Sequence, residues 1–383
     1  MDKPTVQDIF HRFYPAYLDQ YSPSPVQAKV AHNIMNCKTG AYGANACVCE
    51  DCGFVQIHYN SCRNRCCPMC QAVPKEMWMD ARREDVLDAP YFHLVFTVPD
   101  ILNPVIYSNQ RLLYDALYHA ASSTISELTA DPKHLGAKVG YICILHTWGS
   151  EMNFHPHIHT ILLGGGLASN NQWKDNGENF FLPIRVISKM FRGKYLEELK
   201  RLWEEDKLVF HGTAEKFRNH YTFKELLDSC YGMDWIPHCK KTFNGAQTVI
   251  KYLGKYTHRI AVSNHRIVRM DDDTVTFLVK DYRNEGQWKE LTISGVEFVR
   301  RFLMHVPPRR FVRIRHYGLL CSRTKSQKLT LCRNLLGCKK YLSKLRDMEM
   351  PEILEHLYGI KVCVCKACGG HLGKPQMRMP LRC

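Results

Sequence analysis

The chain has 383 residues, 45% apolar and 23% charged, a composition that suits folded globular domains and excludes wholesale disorder. Its 52 lysines and arginines outnumber 37 acidic residues for a net charge of +15, which points to a polyanionic partner, most often nucleic acid. No apolar run approaches the roughly 18 residues of a membrane helix, and the opening MDKPTVQDIF has no secretion core, so a cytoplasmic protein is expected.

Residues 1–36 read as a helical lead-in punctuated by Pro23 and Pro25. Eight of the 18 cysteines then fall between Cys37 and Cys70, and four more lie between Cys363 and Cys383. Clusters at ligand spacing in a reducing compartment suggest zinc rather than disulfides. Cys49-x-x-Cys52 and Cys67-x-x-Cys70 are two knuckles separated by a 14-residue loop, the pattern that closes a tetrahedron around Zn²⁺. Cys47, Cys62 and Cys66 lie close enough to substitute. Four thiolates leave no open position for water, so the site is read as structural. Arg63 and Arg65 inside the module suit phosphate contact. The C-terminal Cys365-x-x-Cys368 is half of a second zinc site, with Cys363, His371 or Cys383 available to complete it.

A charged helical connector is expected over 75–88, a buried strand over 91–98 and helical periodicity over 104–128. Strands are expected over 139–148 and 155–163, forming a hairpin stopped by Gly164-Gly165-Gly166. In the second, NFHPHIHT places His155, His157 and His159 at alternate positions, on one face, with successive Cα atoms about 6.6 Å apart. Imidazoles so placed can converge on one cation. If Trp148 pairs with His155, then His146 faces His157 at about 4.5–5.5 Å between Cβ atoms, as a third ligand or supporting group. His93 is a weaker candidate.

Residues 167–240 carry helical segments and no usable motif. A helix over 246–256 places Tyr252 and Tyr256 one turn apart on one face, among Lys251, Lys255, His258 and Arg259, with Gly254 marking a close approach. A tyrosine phenol becomes a useful nucleophile toward a phosphodiester when a metal polarises the phosphoryl oxygen. Residues 260–293 read as a three-stranded meander. A basic helix and arm over 295–318 then carries six arginines between Arg300 and His316, including Arg309, Arg310, Arg313 and Arg315. Phe302, Phe311 and Tyr317 interleave with them, as a surface for single-stranded nucleic acid would require.

SCRNRCCPMC, HLVFTVP, LHTWGS followed by HPHIHTILLGGG, YLGKYTHRIAVSN and EFVRRFLMHVPPRRFVRIRHYG occur in an order that resembles the two-tyrosine His-hydrophobe-His (HUH) transposases of rolling-circle elements, the insertion sequence ninety-one family. The resemblance implies an α+β core, with an antiparallel sheet carrying the histidines and a tyrosine-bearing helix beside it, preceded by a zinc-ribbon-like domain. It implies that His157 and His159 bind a catalytic Mg²⁺ or Mn²⁺, that Tyr252 and Tyr256 are the nucleophiles, and that Cys49, Cys52, Cys67 and Cys70 hold structural Zn²⁺. The implied partner is single-stranded DNA at element ends and target, and the implied location is the cytoplasm, with nucleoid association during action. Cys66 departs from the family pattern, standing where a histidine is expected. The domains expected are a zinc-binding region over 1–88, a catalytic region over 89–260 with an insertion at 167–240, and a basic DNA-binding region over 261–383. The competing readings are a plasmid replication initiator or relaxase of the same chemistry, and a non-catalytic zinc-ribbon regulator.

Overall fold

The computed structural model describes residues 3–175, 182–235, 238–242, 249, 254, 260–281, 286–373 and 377–379. Two capped helices open the chain. In α1 (Val6–Gln20) the Thr5 hydroxyl accepts from the Asp8 amide while the Asp8 carboxylate takes the Thr5 amide. The start of α2 (Pro25–Met35) repeats the device with Ser24 and Gln27, and Pro25 occupies the first turn, where its missing N–H costs nothing. A ribbon of β1 (Ala44–Val48) and β2 (Val55–Tyr59) follows, then α3 (Ala72–Arg83).

The central sheet begins with β3 (Tyr91–Thr97). Helices α4 (Asn103–Ser108) and α5 (Gln110–Ala130) lead to the long hairpin of β4 (Lys138–Trp148) and β5 (Phe154–Leu167). Short β6 (Trp173–Asp175), α6 (Ile184–Glu204), α7 (His220–Gly232) and β7 (His238–Thr242) complete this region. The glycine triplet does not stop β5 but runs inside it, because neighbouring atoms come too close for side chains. A Cβ on Gly164 would meet the Pro90 carbonyl at 2.9 Å, and one on Gly166 the Lys138 carbonyl oxygen at 2.4 Å.

The chain continues through the meander of β8 (Ile267–Met270), β9 (Thr274–Asp281) and β10 (Gln287–Ser294), then α8 (Gly295–Met304) and β11 (Ile314–Gly318). It closes with α9 (Lys325–Leu336), α10 (Met350–Tyr358) and β12 (Met377–Met379). The central sheet is antiparallel, ordered β11-β4-β5-β3-β7 with β6 added against the end of β5.

Period-two alternation divides that sheet into two unlike faces. Phe92, Leu94, Phe96, Tyr141, Cys143, Leu145, Ile158 and Leu162 point into the largest core, beneath α5, α6 and α7. The opposite face carries Tyr91, Ile142, Ile144, Ile161 and Leu163 in a smaller cluster with Met79, Val249 and Leu329, and it also carries the histidines. A third core joins Val6–Ile34 residues of α1 and α2 to Phe277, Phe298 and Phe302, so it crosses both expected domain boundaries, at 88 and 260. The chain end returns as well: β12 pairs with β1, opposite to β2. Among the described residues no helix is long and apolar enough to cross a membrane.

Candidate metal centres

The register of the central hairpin sets His146 opposite His157, and a bulge beyond His146 pairs Trp148 with Phe154 rather than His155. His146, His157 and His159 thereby bring one ring nitrogen each within 4.8 Å of one another, and all three are buried. The ring pairs lie 4.5 Å (146 to 159), 5.5 Å (146 to 157) and 4.8 Å (157 to 159) apart between centroids. His155 points to the same side but leaves the cluster for Asp100, at 3.1 Å.

Hydrogen bonds fix which lone pairs are presented. His157 Nδ1 sits 2.7 Å from the His155 carbonyl oxygen, which can only accept, so Nδ1 carries the proton and Nε2 keeps its lone pair. That Nε2 is 3.0 Å from His159 Nε2, and His159 Nδ1 is in turn 2.9 Å from His93 Nε2. His93 comes from the adjacent strand β3 and stacks its ring beside His159 at 5.1 Å. Burial, helped by the neighbouring imidazoles, pushes His157 down to about 4 and His159 well below the ordinary histidine range. Both rings are therefore neutral at pH 7, the state in which imidazole coordinates a cation. This donor set fits a divalent ion.

Trp148 stacks on His146 at 4.4 Å, and the Arg313 guanidinium lies 5.6 Å from the Trp148 ring centroid. Arg313 is 8% exposed, so it props the histidine wall and offers little to a phosphate at the surface. Arg315 is also turned inward, with its guanidinium 4.0 Å from the Tyr118 ring centroid and paired with Asp115. Phe302 and Phe311 are buried in cores and Tyr317 stacks on Tyr141, so the expected base-stacking role of these aromatics is not met. Arg63, Arg309 and Arg310 are exposed. Arg65 donates to the Phe311 carbonyl at 2.6 Å, tying the cysteine module to the arginine segment.

Tyr252, Tyr256, Lys255 and Arg259 lie outside the described residues, as does most of the helix expected over 246–256. Its two described residues, Val249 and Gly254, are helical and buried. Val249 joins the cluster on the histidine face, and Gly254 lies so close to α3 that a Cβ there would collide with the Met79 sulfur. Gly254 also borders a cavity of about 430 Å³ whose wall includes Arg65, Cys67, Gln71, Lys75 and Ser263.

The cysteines correct the expected zinc set. Cys49, Cys52, Cys67 and Cys70 do not share one site, because the two knuckles belong to different clusters. Cys67 and Cys70 meet Cys37 and Cys62, whereas Cys49 and Cys52 meet Cys365 and Cys368. The second half-site is thus completed by the N-terminal knuckle, and neither Cys363 nor His371 joins it. Cys37 was not legible as a ligand: it stands alone after α2, with no partner at knuckle spacing. Cys66 is buried outside both clusters, where burial pushes its thiol up to about 11.

Two family models match the chain, one described as a transposase zinc-binding domain over residues 9–98 and the other as a putative transposase over residues 140–328. The chain is 40% identical to the putative transposase y4qJ of Sinorhizobium fredii, over 95% of this chain and 93% of that one. It is 30% identical to the transposase for insertion sequence element IS801 of Pseudomonas savastanoi pv. phaseolicola, over 79% of this chain and 72% of that protein. Among solved structures, the conjugative relaxase TrwC in complex with oriT DNA, in its metal-bound form, aligns with 44% of this chain and 71% of its own at 13% identity. Its TM-score is 0.25, and a likeness of that size supports no conclusion about this chain. On the strength of the matched domains and curated relatives, the chain belongs to the IS91 family of insertion-sequence transposases, enzymes that act on DNA and carry a zinc-binding domain.

Proposed function

We propose that this transposase nicks and rejoins single-stranded DNA in rolling-circle transposition, with Tyr252 and Tyr256 as nucleophiles and His146, His157 and His159 holding Mg²⁺ or Mn²⁺. The observation that carries the reading is the convergence of three buried imidazoles, with one ring nitrogen each within 4.8 Å of the others, in a chain of transposase family. Val249 and Gly254 support the tyrosine assignment, because these two residues flank position 252, Val249 joins the cluster on the histidine face of the sheet, and Gly254 packs against Met79 of that same cluster.

A divalent ion on the histidines supplies Lewis acidity to a phosphoryl oxygen of the scissile bond. The residues of the chain do the rest. A tyrosine oxygen, having lost its proton, attacks phosphorus, and the bond to the 3′-oxygen breaks. The products are a 5′-phosphotyrosine and a free 3′-hydroxyl, which takes up a proton. A second tyrosine allows a further cleavage before the first link is resolved. Three imidazoles alone would favour zinc or copper over Mg²⁺, so a Mg²⁺ or Mn²⁺ held by His146, His157 and His159 would need oxygen ligands from elsewhere to complete its coordination. Lys255, Arg259, Arg63, Arg309 and Arg310 are the candidate phosphate contacts, and Cys37, Cys62, Cys67 and Cys70 are the proposed ligands of the structural zinc in the matched N-terminal domain.

Covalent trapping tests the reading. The protein is incubated with end-labelled single-stranded DNA from an element terminus and Mn²⁺, then run on a denaturing gel, beside Tyr252→Phe, Tyr256→Phe, the double variant and His157→Ala. A metal-dependent protein–DNA band that disappears in the double variant is expected. Cleavage without an adduct would instead indicate activated water, and binding without cleavage would return the chain to a regulatory role.

A further inference from the structure

We propose that Cys49, Cys52, Cys365 and Cys368 bind a second structural zinc ion, and that this ion fastens the C-terminal segment of the chain onto its N-terminal zinc domain. Two of these residues lie beyond both spans matched by the transposase models, which end at 98 and 328.

The sulfur spacing is that of a tetrathiolate site. A Zn–S length of about 2.3 Å makes the edge of a regular tetrahedron about 3.8 Å. Cys52 Sγ is 3.8 Å from Cys365 Sγ, and Cys49 Sγ is 3.5 Å from Cys368 Sγ, although each pair is separated by more than 300 residues of chain. Packing does not account for this meeting, because Cys52 and Cys368 are exposed. Buried thiols can gather as small apolar groups, but exposed ones gain nothing by touching.

The two knuckles are also built alike, hydrogen bond for hydrogen bond. The Cys49 amide donates to the Phe54 carbonyl at 2.9 Å and the Gly53 amide to the Cys49 carbonyl at 3.0 Å. At the other end the Cys365 amide donates to the Gly370 carbonyl at 2.8 Å and the Gly369 amide to the Cys365 carbonyl at 3.0 Å. In both, the fifth residue is a glycine with positive φ, +70° at Gly53 and +79° at Gly369, which turns the chain so that two sulfurs project together. The amides of Ala367 and Gly370 point at the Cys365 and Cys368 sulfurs, each at 3.4 Å, which favours thiolate charge. Main-chain pairing of Cys49 with Leu372, and of β12 with β1, brings the second knuckle into register with the first. With four thiolates the tetrahedron is closed, so the role is to hold structure.

Zinc counting tests this, using the full-length chain in a His157→Ala, His159→Ala background so that the histidine site contributes no metal. After gel filtration in metal-free buffer, elemental analysis is expected to find two zinc ions per chain. Either Cys49→Ser with Cys52→Ser or Cys365→Ser with Cys368→Ser should lower the count to one, and combining all four should lower it no further. A background count of one, or double variants that keep two, would overturn the proposal. Alkylation of the unmodified chain under reductant gives a second readout that needs no cysteine variant. Exposed Cys52 and Cys368 should resist iodoacetamide until a chelator is added, while exposed Cys321 and Cys363 react at once. Equal reactivity of all four before chelation would also overturn it, and a disulfide would not survive the reductant to mimic protection.

Discussion

Replacing His93 should weaken the proposed metal site of His146, His157 and His159 without dismantling it. For His159 to present its Nε2 lone pair to a cation, its proton must sit on Nδ1, and the atom placed to accept that proton's hydrogen bond is His93 Nε2, 2.9 Å away. With no ion present the same pair can be reversed, His93 donating to Nδ1 while His159 Nε2 donates to His157 Nε2 across 3.0 Å. Metal binding at the proposed site would therefore select one tautomer of a short imidazole relay, with His93 as a positioning residue that stabilises the selected form. Losing such a partner typically costs about 10–100-fold in metal affinity, which is about 1.4–2.7 kcal/mol. His93→Leu should be tolerated structurally, since Tyr91 and Ile161 already make that face apolar. The assay is DNA nicking across a Mn²⁺ titration, with direct metal binding measured alongside. The half-saturating Mn²⁺ concentration should rise about 10–100-fold in His93→Leu while the rate at saturation is largely kept. His93→Gln, whose amide oxygen can accept from Nδ1, should fall between the two. An unchanged midpoint in His93→Leu would refute the relay.

Three further outcomes are expected. His305 is buried, and that burial pushes it down to about 4, while its Nε2 meets the Met152 carbonyl at 3.0 Å and its Nδ1 meets Thr147. Its unfolded value is about 6.5, so the unfolded state takes up a proton first: the neutral ring's stabilisation is complete above about pH 6.5 and drains away as pH falls towards 4, by about 3 kcal/mol. Urea midpoints across that range should show a shallower acid loss in His305→Gln than in the parent chain, and identical slopes would count against the assignment. For DNA, Arg309→Gln with Arg310→Gln should flatten the salt dependence of single-strand binding by about 0.7 in slope per lost contact. Arg313→Gln should leave that slope alone and lower the melting temperature instead, because its guanidinium packs over Trp148. A slope change in Arg313→Gln alone would place that side chain on the DNA path.

What could be read from the sequence was local and periodic. Alternate histidines in a strand must share a face, and a hairpin around a short polar turn restricts which residue of the preceding strand lies opposite, so His146, His157 and His159 follow from period two and register. The bulge between His146 and Trp148 shifted the end of the hairpin and left the His146–His157 pair intact. The arginine segment was less legible because charge in a sequence does not say which way a side chain points. Arg313 and Arg315 found aromatic faces inside the molecule, where a planar guanidinium stacks well, whereas Arg309 and Arg310 are exposed.

The cysteines show where local reasoning fails and what would have rescued it. Two knuckles in one short module look like natural partners, yet ligand spacing constrains only the two thiols within a knuckle and never which knuckle it meets. That choice is made by tertiary pairing, here by β12 returning to β1. A signal was nonetheless present in the residue after each knuckle. Cys52 and Cys368 are each followed by a glycine that takes positive φ, whereas Cys70 is followed by Gln71, which opens α3. Glycine there permits the turn in which the fifth amide reaches back to the first carbonyl, and both glycine knuckles make that bond. In this chain the two knuckles of one build meet each other, and the one that runs into a helix meets Cys37 and Cys62 from the loops before it. The residue beyond the second cysteine thus distinguishes the two clusters at the level of sequence, and it marks where the far end of the chain closes on its beginning.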